Sequence, residues 1–593
     1  MTLIQQLNNI LKEYAEGNKL SAYKKFKKLY LKNNKNIKMR YNLAVMQQEI
    51  GYIDEAESNY KYLIKNNQDL KSKINLYNIY ISKNFFEEAL KIIIGIENEN
   101  QNISQVKQDK AYVLFRLKRY EDSIIECENL INLNKININL LNTLGLNYLL
   151  LKKYEESEKI LLEAHEMDQN NIPVLNSLGR LSHETKESIK AETYFKTALD
   201  LEPNVFETLN NFAGFYLEES RYLKAIELYK RAEILSPNNS IIINNISKAL
   251  SSLGDDEDAE KYCKKALSID SKNDDFKKTF SLILLKKYDF SKAWKYFDGR
   301  LGLSEFISKN SSLEIVRDKL PPKKDINLDS KILIIREQGV GDEILYGTMY
   351  NDLLYSYKNV TIECDPRILP LLRNSFKVED SKKFVCLGKY SKNSVGLDNF
   401  DYVIYAGSLG KYFRNEKKSF SKKPYLKTIK NYKDSELELL LKNNKNFKIG
   451  LSWKSFKNRY AKDKSLELNS FNKILKKNNC IFFNLQYGNV YNELNEFSKT
   501  DKNKIITLKK LDLFNDFSGL ANLLINLDIF ITVSNSTAHL AGALGVKTYL
   551  IKPLNHASYH YWNYDNGKTP WYDSIKIISK EELDDQKFVD KLF

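Results

Sequence analysis

At 593 residues, with 42% hydrophobic and 28% charged side chains, the chain is too long for one compact core and too apolar to be disordered. Its formal charge of +16 comes from lysines spread along the whole length, without a dense basic block or a recognisable nucleic-acid module, so it reads as compositional bias and no nucleic-acid partner is expected. The five cysteines (127, 263, 364, 386, 480) are odd in number and lack C-x-x-C spacing, which argues against a disulfide scaffold and a zinc site. The polar N-terminus has no signal-peptide core and no apolar run is long enough to span a bilayer, so the expected location is cytoplasmic.

The first half repeats. Leu175, Leu178, Gly179, Ala191, Phe195, Ala198 and Pro203 recur 34 residues later as Leu209, Phe212, Ala213, Ala225, Tyr229, Ala232 and Pro237. One small position runs through Ala22, Ala56, Ala89, Ser123, Ser157, Ala191, Ala225, Ala259 and Ala293, always 34 apart except for one step of 33. Small residues at this spacing let two helices cross closely. Tyr148, Phe195, Tyr216 and Tyr229 fill the gaps between neighbours, and Pro203 and Pro237 end the second helix of a unit. The pattern resembles the tetratricopeptide repeat family over residues 3–307 and implies an all-α solenoid of about nine helix-turn-helix units, here bounded as residues 1–307.

Asn142, Asn176, Asn210 and Asn244 also recur every 34 residues, on the first helix of four consecutive units. In this family the position faces the concave groove, where a carboxamide can pair with a peptide backbone without reading side chains. The row resembles the asparagine ladder of the O-linked N-acetylglucosamine transferase superhelix, and the resemblance implies that these four residues bind a polypeptide acceptor. The opposing reading is that asparagine is abundant in this chain and tolerated on any exposed helix. His165 and His183 are isolated and read as surface or packing residues, not ligands. The segment 288–300 carries Trp294, Tyr296 and Phe297, an apolar cap for docking the array onto the second half of the chain, and residues 308–328, with Pro321 and Pro322, read as a connector.

From Lys331 the period changes. Short apolar strands at 331–336, 360–364 and 401–407 alternate with helical stretches, and a second such series has strands at 448–453, 480–488, 528–533 and 547–553. It has helices at 465–477, 518–527 and 534–545, and a terminal helix at 581–593. The expectation is two α/β domains with parallel, doubly wound sheets, at residues 329–445 and 446–593, with a ligand cleft where the carboxyl ends of their strands face each other.

Two strand-to-helix turns carry candidate chemistry. In Gln338-Gly339-Val340-Gly341-Asp342-Glu343 the glycines permit a tight turn and close approach of a ligand, and Asp342 sits at the helix start, as a functional carboxylate or a capping one. It is not the dinucleotide fingerprint, since the third glycine is missing. In Val533–Gly545 a strand ends in Ser534, Asn535, Ser536 and Thr537, followed by His539 and the small residues Ala541, Gly542 and Ala543. Helix N–H groups with hydroxyls make a pyrophosphate site; capping, with His539 buried in a hydrogen bond, is the plainer alternative.

Together these turns, with VTIECDPRILPLLRNSF, IGLSWKS, KDKSLELNSF and FNLQYG, resemble the heptosyltransferase-like glycosyltransferases of the GT-B fold over residues 329–580. The version fused to tetratricopeptide repeats is similar to bacterial relatives of O-linked N-acetylglucosamine transferase and to flagellin-modifying transferases. The resemblance implies two Rossmann-like domains and a nucleotide-sugar donor, used as co-substrate without a further cofactor. It implies that Asp342 is the general base, and that Gly339, Gly341, Ser452, Lys454, Lys464, Ser536, Thr537 and His539 bind the donor. Ser534 departs from the acidic residue of many relatives, at a position near the donor sugar.

No Asp-x-Asp motif occurs in the second half, so a positive helix terminus with Lys454 and Lys464 is expected to neutralise the leaving diphosphate without a metal. The aromatic stretch 555–574, with His556, His560, Trp562 and Trp571, fits hinge packing, nucleobase stacking or acceptor binding. His556 and His560 are spaced like a metal pair but lack a carboxylate pattern. Three functions are compatible with these residues: a protein-modifying glycosyltransferase recruiting its polypeptide through the array, a transferase of lipopolysaccharide or surface-glycan assembly, or a repeat scaffold without catalysis.

Overall fold

A computed structural model of the chain describes residues 3–67, 69–99, 104–303, 326–387, 397–429, 432, 435–442, 445–456, 464–500, 505–552, 560–562 and 566–592. The chain forms two compact units, Met1–Phe215 and Tyr216–Phe593, so the division between units falls inside the repeats.

Nine helical hairpins are described, from Leu3–Ala15 with Lys19–Lys32 to Asp274–Lys286 with Phe290–Phe297. The small-residue series lies at the crossing of each pair: every alanine of it is fully buried. Where serine replaces alanine, its hydroxyl bonds the facing helix, Ser123 to the Ala111 carbonyl at 2.7 Å and Ser157 to that of Gly145 at 2.8 Å. A Cβ on Gly145 would stand 2.5 Å from Leu161, and one on Gly179 2.8 Å from the Phe195 ring, so a side chain at either must displace that neighbour.

Two further periods were not read from the sequence. The turn inside each hairpin holds one residue in the left-handed region, at Gly17, Gly51, Asn84, Lys118, Lys152, Lys186, Ser220, Gly254 and Tyr288. Only three are glycine, so composition does not betray the turn. The first helix of most hairpins is N-capped by a side chain in register: Asn36, Asp69, Asn137, Asn171, Asn239 and Asn273 each accept the backbone N–H three residues on. Part of the asparagine abundance is therefore capping.

In the second unit, two parallel sheets follow the last hairpins. The first is ordered β3-β2-β1-β4, with β1 Ile332–Ile335, β2 Val360–Glu363, β3 Phe384–Val385 and β4 Tyr402–Tyr405. The second is ordered β10-β9-β8-β5-β6-β7, with β5 Phe447–Ser452, β6 Cys480–Asn484, β7 Ile505–Ile506, β8 Ile529–Thr532, β9 Thr548–Ile551 and β10 Ile575–Ile578. All of its pairings are parallel. Successive strands move outward from β5 on one side and from β8 on the other, so the winding reverses between them, as it does between β1 and β4; such reversals open a crevice at the carboxyl ends.

The strands β1, β8 and β9 are buried on both faces, which is why each reads as a mostly apolar run without alternation. The short edge strands β3 and β7 were not expected, because two paired residues leave no periodicity to read. The helix expected after β1 breaks into Val340–Gly347 and Tyr350–Ser356. The terminal helix breaks into Lys580–Leu583 and Gln586–Asp590, and the helix over 465–477 shrinks to a 3-10 turn, Leu468–Phe471, and Asn472–Leu475.

The last hairpin docks on the first sheet as its aromatics suggested. Trp294 and Phe297 are buried, and the Trp294 indole donates to the Arg414 carbonyl at 2.8 Å. Tyr296 instead packs edge-on against Phe280 within the repeats. The connector, except for its last residues, lies outside the described residues, as do Pro321 and Pro322.

Candidate functional site

The chain leaves β1 through Arg336 and Glu337 and turns at Gln338, whose φ of +63° is in the left-handed region. Gly339 then N-caps the helix Val340–Gly347. Asp342, half-buried in its first turn, reaches back so that the Gly339 N–H donates to Oδ2 over a long 3.4 Å. The cap is a weak use of this carboxylate.

In the second sheet the corresponding helix is Ser536–Leu544, after β8. The plainer alternative of capping by Ser536 or Thr537 does not hold: Asn535 is the N-cap, accepting from the Ala538 N–H at 3.0 Å while its amide donates to Ser452 Oγ at 2.8 Å. Asn535 thus ties the turn after β8 to the end of β5, across the strand reversal. Gln486, beyond β6, completes the knot. Its Oε1 accepts from Ser452 Oγ and from the Trp453 and Lys454 backbone N–H groups at 3.1, 2.8 and 2.6 Å.

These two helices face each other. A Cβ built on Gly341 would lie 3.3 Å from the Cα of Ser536 and 3.3 Å from Cδ2 of His539, so the first turn of one helix touches the first turn of the other. The segment joining the sheets holds them there. Tyr425 donates its hydroxyl to the Ile344 carbonyl at 2.7 Å, while the Tyr425 and Leu426 amides donate to the Ala543 carbonyl at 2.9 and 3.0 Å. Asp342 also acts across the gap: after burial, its charge is the next cause raising the Tyr572 hydroxyl well above the ordinary tyrosine pKa.

The other expected donor residues have varied surroundings. Ser536 keeps partial exposure, and Thr537 is buried. His539 does not stand open to the crevice: it is 4% exposed, stacks on Trp562 with ring centroids 4.7 Å apart, and shares a 3.2 Å hydrogen bond between Nδ1 and the Tyr572 hydroxyl. Ser534 accepts from the Trp562 indole at 2.9 Å. Of the aromatic stretch 555–574, Tyr561, Trp562 and Tyr572 pack against His539 of the second helix, and Trp571 packs edge-on against Phe420; His556 and the His560 side chain lie outside the described residues. Lys454 is held by Glu493 at 2.6 Å, and Lys464 is buried.

Residues 138–171, 172–205 and 242–273 match the tetratricopeptide repeat family model. The N-terminal region carries tetratricopeptide repeats. Protein FlbA of Caulobacter vibrioides (strain ATCC 19089 / CIP 103742 / CB 15) is 25% identical over 268 residues, covering 42% of this chain and 44% of FlbA, so the chain spans less than half the length of that relative. Among solved structures, a tetratricopeptide repeat protein from Parabacteroides merdae ATCC 43184 is 15% identical with a TM-score of 0.40, over 42% of this chain and 98% of that one. A thermophilic protein of the same repeat class from Thermus thermophilus is 18% identical with a TM-score of 0.29, over 31% and 100%.

Within the tetratricopeptide repeats of the first unit, Asn142 Oδ1 accepts from Ser177 Oγ at 2.6 Å and Asn176 donates to Thr208 Oγ1 at 2.8 Å. In the second unit Asn244 donates to Asp275 Oδ2 at 3.0 Å. The carboxamides thus link successive repeats. Asn176 and Asn244 are buried, while Asn142 and Asn210 keep some exposed surface. The Oδ1 atoms of Asn176 and Asn210 are enclosed and have no hydrogen-bond partner among the described residues.

Glu343, one residue past Asp342, escaped the sequence reading because a glutamate inside a helix carries no motif. It is buried, accepts the Asp365 N–H at 2.9 Å, and burial, with Glu363 adding, pushes its pKa up to about 8. A carboxyl raised in the folded state binds its proton there while the unfolded chain, near 4.5, releases it. Its contribution to stability is therefore complete below pH 4.5 and is lost as pH rises towards 8. Glu343→Gln is expected to remove this loss: urea midpoints at pH 5 and pH 8 converge relative to the parent, with the variant gaining most at the upper pH.

Proposed function

We propose that the second unit is a glycosyltransferase of the GT-B type that moves a sugar from a nucleotide-sugar donor to an acceptor hydroxyl, and that the repeats recruit the acceptor as a polypeptide. One juxtaposition carries the reading: the first turns of Val340–Gly347 and Ser536–Leu544, each at the carboxyl end of a parallel sheet beside its reversal of winding, are in contact at Gly341 and Ser536. The N-terminal amides of Ser536–Leu544 have no intrahelical acceptor and the helix end is electropositive, so a diphosphate is the ligand such a turn favours. Asp342 follows Gly341 directly in the first turn of the facing helix, and its charge is felt at Tyr572.

In this reading Asp342 takes the acceptor proton as the hydroxyl oxygen attacks the anomeric carbon and the diphosphate leaves towards Ser536, Thr537 and the amides. Ser452, fixed by Asn535 and Gln486, shapes the floor of the diphosphate site. Lys454 neutralises the leaving group by exchanging Glu493 for phosphate, and Lys464 adds a second positive charge. The aromatic enclosure of His539 and Ser534 gives both a role in holding the turn. Acceptor recruitment falls to the partly exposed members of the asparagine row, Asn142 and Asn210.

A thermal-shift screen against UDP-, GDP-, ADP-, dTDP- and CMP-sugars tests the donor. One nucleotide is expected to raise the unfolding temperature of the full chain, since a ligand at about a hundredfold its Kd adds about 2.7 kcal/mol of apparent stability. A flat response to all five counts against the reading.

A further inference from the structure

The last tetratricopeptide hairpin does more than pack on the first sheet. It ends in the 3-10 turn Asp298–Gly302, and Arg300 from that turn is enclosed within the second unit. Its guanidinium forks onto Glu337, Nε to Oε2 at 2.9 Å and Nη2 to Oε1 at 2.7 Å. Nη2 also donates to Ser408 Oγ at 2.9 Å, and Nη1 to Asp298 Oδ1 at 2.9 Å and the Phe297 carbonyl at 3.2 Å. The Glu337 carboxylate, fully buried, accepts in addition from the Gly407 N–H at 2.5 Å. A Cβ on Gly407 would meet Oε1 at 2.3 Å, so the pair fills its space without slack.

One ion pair therefore joins three segments: the end of the repeats, the exit of β1 and the exit of β4. The last two flank the reversal of winding in the first sheet. Glu337 immediately precedes Gln338, a residue with a Cβ held at a left-handed φ of +63°, and this strained residue leads into Gly339 and Asp342. Strained turns persist where surrounding contacts over-determine them, and the clamp on Glu337 is such a contact. Burying two charges gives little net stability compared with apolar packing, so stability alone does not account for the pair.

We propose that Arg300 is a positioning residue for Asp342: by fixing Glu337 from the last repeat it holds the glycine turn in the conformation that aims the carboxylate at the facing helix. The terminal repeat is then a working part of the transferase half. The assignment of a chemical role rests on the reading of Asp342 as base.

The test uses the full chain with Arg300→Lys, which keeps the charge but loses the bidentate fork. Amide hydrogen exchange over residues 336–345 is measured beside that of β2 and of the helix Ser240–Leu253, together with kcat and KM for whichever nucleotide sugar gives the largest thermal shift. Expected are faster exchange confined to 336–345 and a fall in kcat of about 10²-fold, as displacement of a catalytic group by about 1 Å gives, with donor KM within about threefold of the parent. Exchange and kcat like the parent's overturn the proposal, as does acceleration spread evenly over the whole unit. Should Arg300→Lys not fold, Glu337→Gln, which keeps volume and one acceptor oxygen, carries the same measurements. The exchange readout needs no donor, so it judges the clamp even if Asp342→Asn turns over normally and the base assignment falls.

Discussion

Asp342→Asn is expected to lower sugar transfer by about 10²–10⁴-fold, the range a positioned general base supplies, while nucleotide binding stays close to the parent's. Asparagine has the same shape and keeps an oxygen to accept from the Gly339 N–H, so the turn and the helix start survive. What disappears is the basicity of the carboxylate, which the long 3.4 Å cap does not use. The negative charge also favours the positive helix terminus, so the variant loses about 0.3–1 kcal/mol of stability, too little to unfold it. Single-turnover transfer and a binding isotherm with the nucleoside diphosphate of the active donor separate the two effects. Turnover equal to the parent's removes Asp342 from the mechanism; lost binding with lost transfer places it among the donor contacts.

Legibility tracked the length scale of each feature. The repeats were readable because helix crossing imposes small residues at one position for nine units, from Ala22 to Ala293, and chance does not sustain a period that long. Buried parallel strands such as β1 and β8 were readable because both faces are apolar. The capping asparagines and the left-handed turn residues share the same period, yet stayed hidden because asparagine and lysine are common everywhere in this chain.

At the candidate site, the turns were visible as glycine and hydroxyl clusters, but the residue that caps the second helix was not singled out. Asn535 caps the second helix in place of Ser536 or Thr537, since the N-cap must be extended and Asn535 is the last extended residue. Gln486, Glu343, Arg300 and Glu337 were invisible as site residues. Each acts through a partner between 22 and 37 positions away, and single-sequence patterns report only neighbours within a few residues.

Gly341→Val is expected to close the crevice. The neighbours of a Cβ here are Ser536 Cα and His539 Cδ2, both at 3.3 Å; the first is backbone and the second is locked against Trp562 and Tyr572, so neither yields easily. An alanine at this position asks for a displacement of a few tenths of an ångström and is tolerated with a modest loss of donor affinity. Valine adds two methyl groups aimed at the first turn of Ser536–Leu544, where overpacking costs about 1–3 kcal/mol if the helices stay and the diphosphate site is lost if they part. The fold outlasts either outcome, because the two sheet cores are built from strand residues that take no part in this contact. Valine should therefore abolish the nucleotide-induced thermal shift and reduce transfer at least about 10²-fold, the scale of a misplaced catalytic group, while alanine retains both in part. A valine variant that still binds nucleotide would mean that the phosphates do not enter between the two helix starts. The donor would then have to lie along the β5–β6 side of the second sheet, where Gln486 and Lys454 emerge.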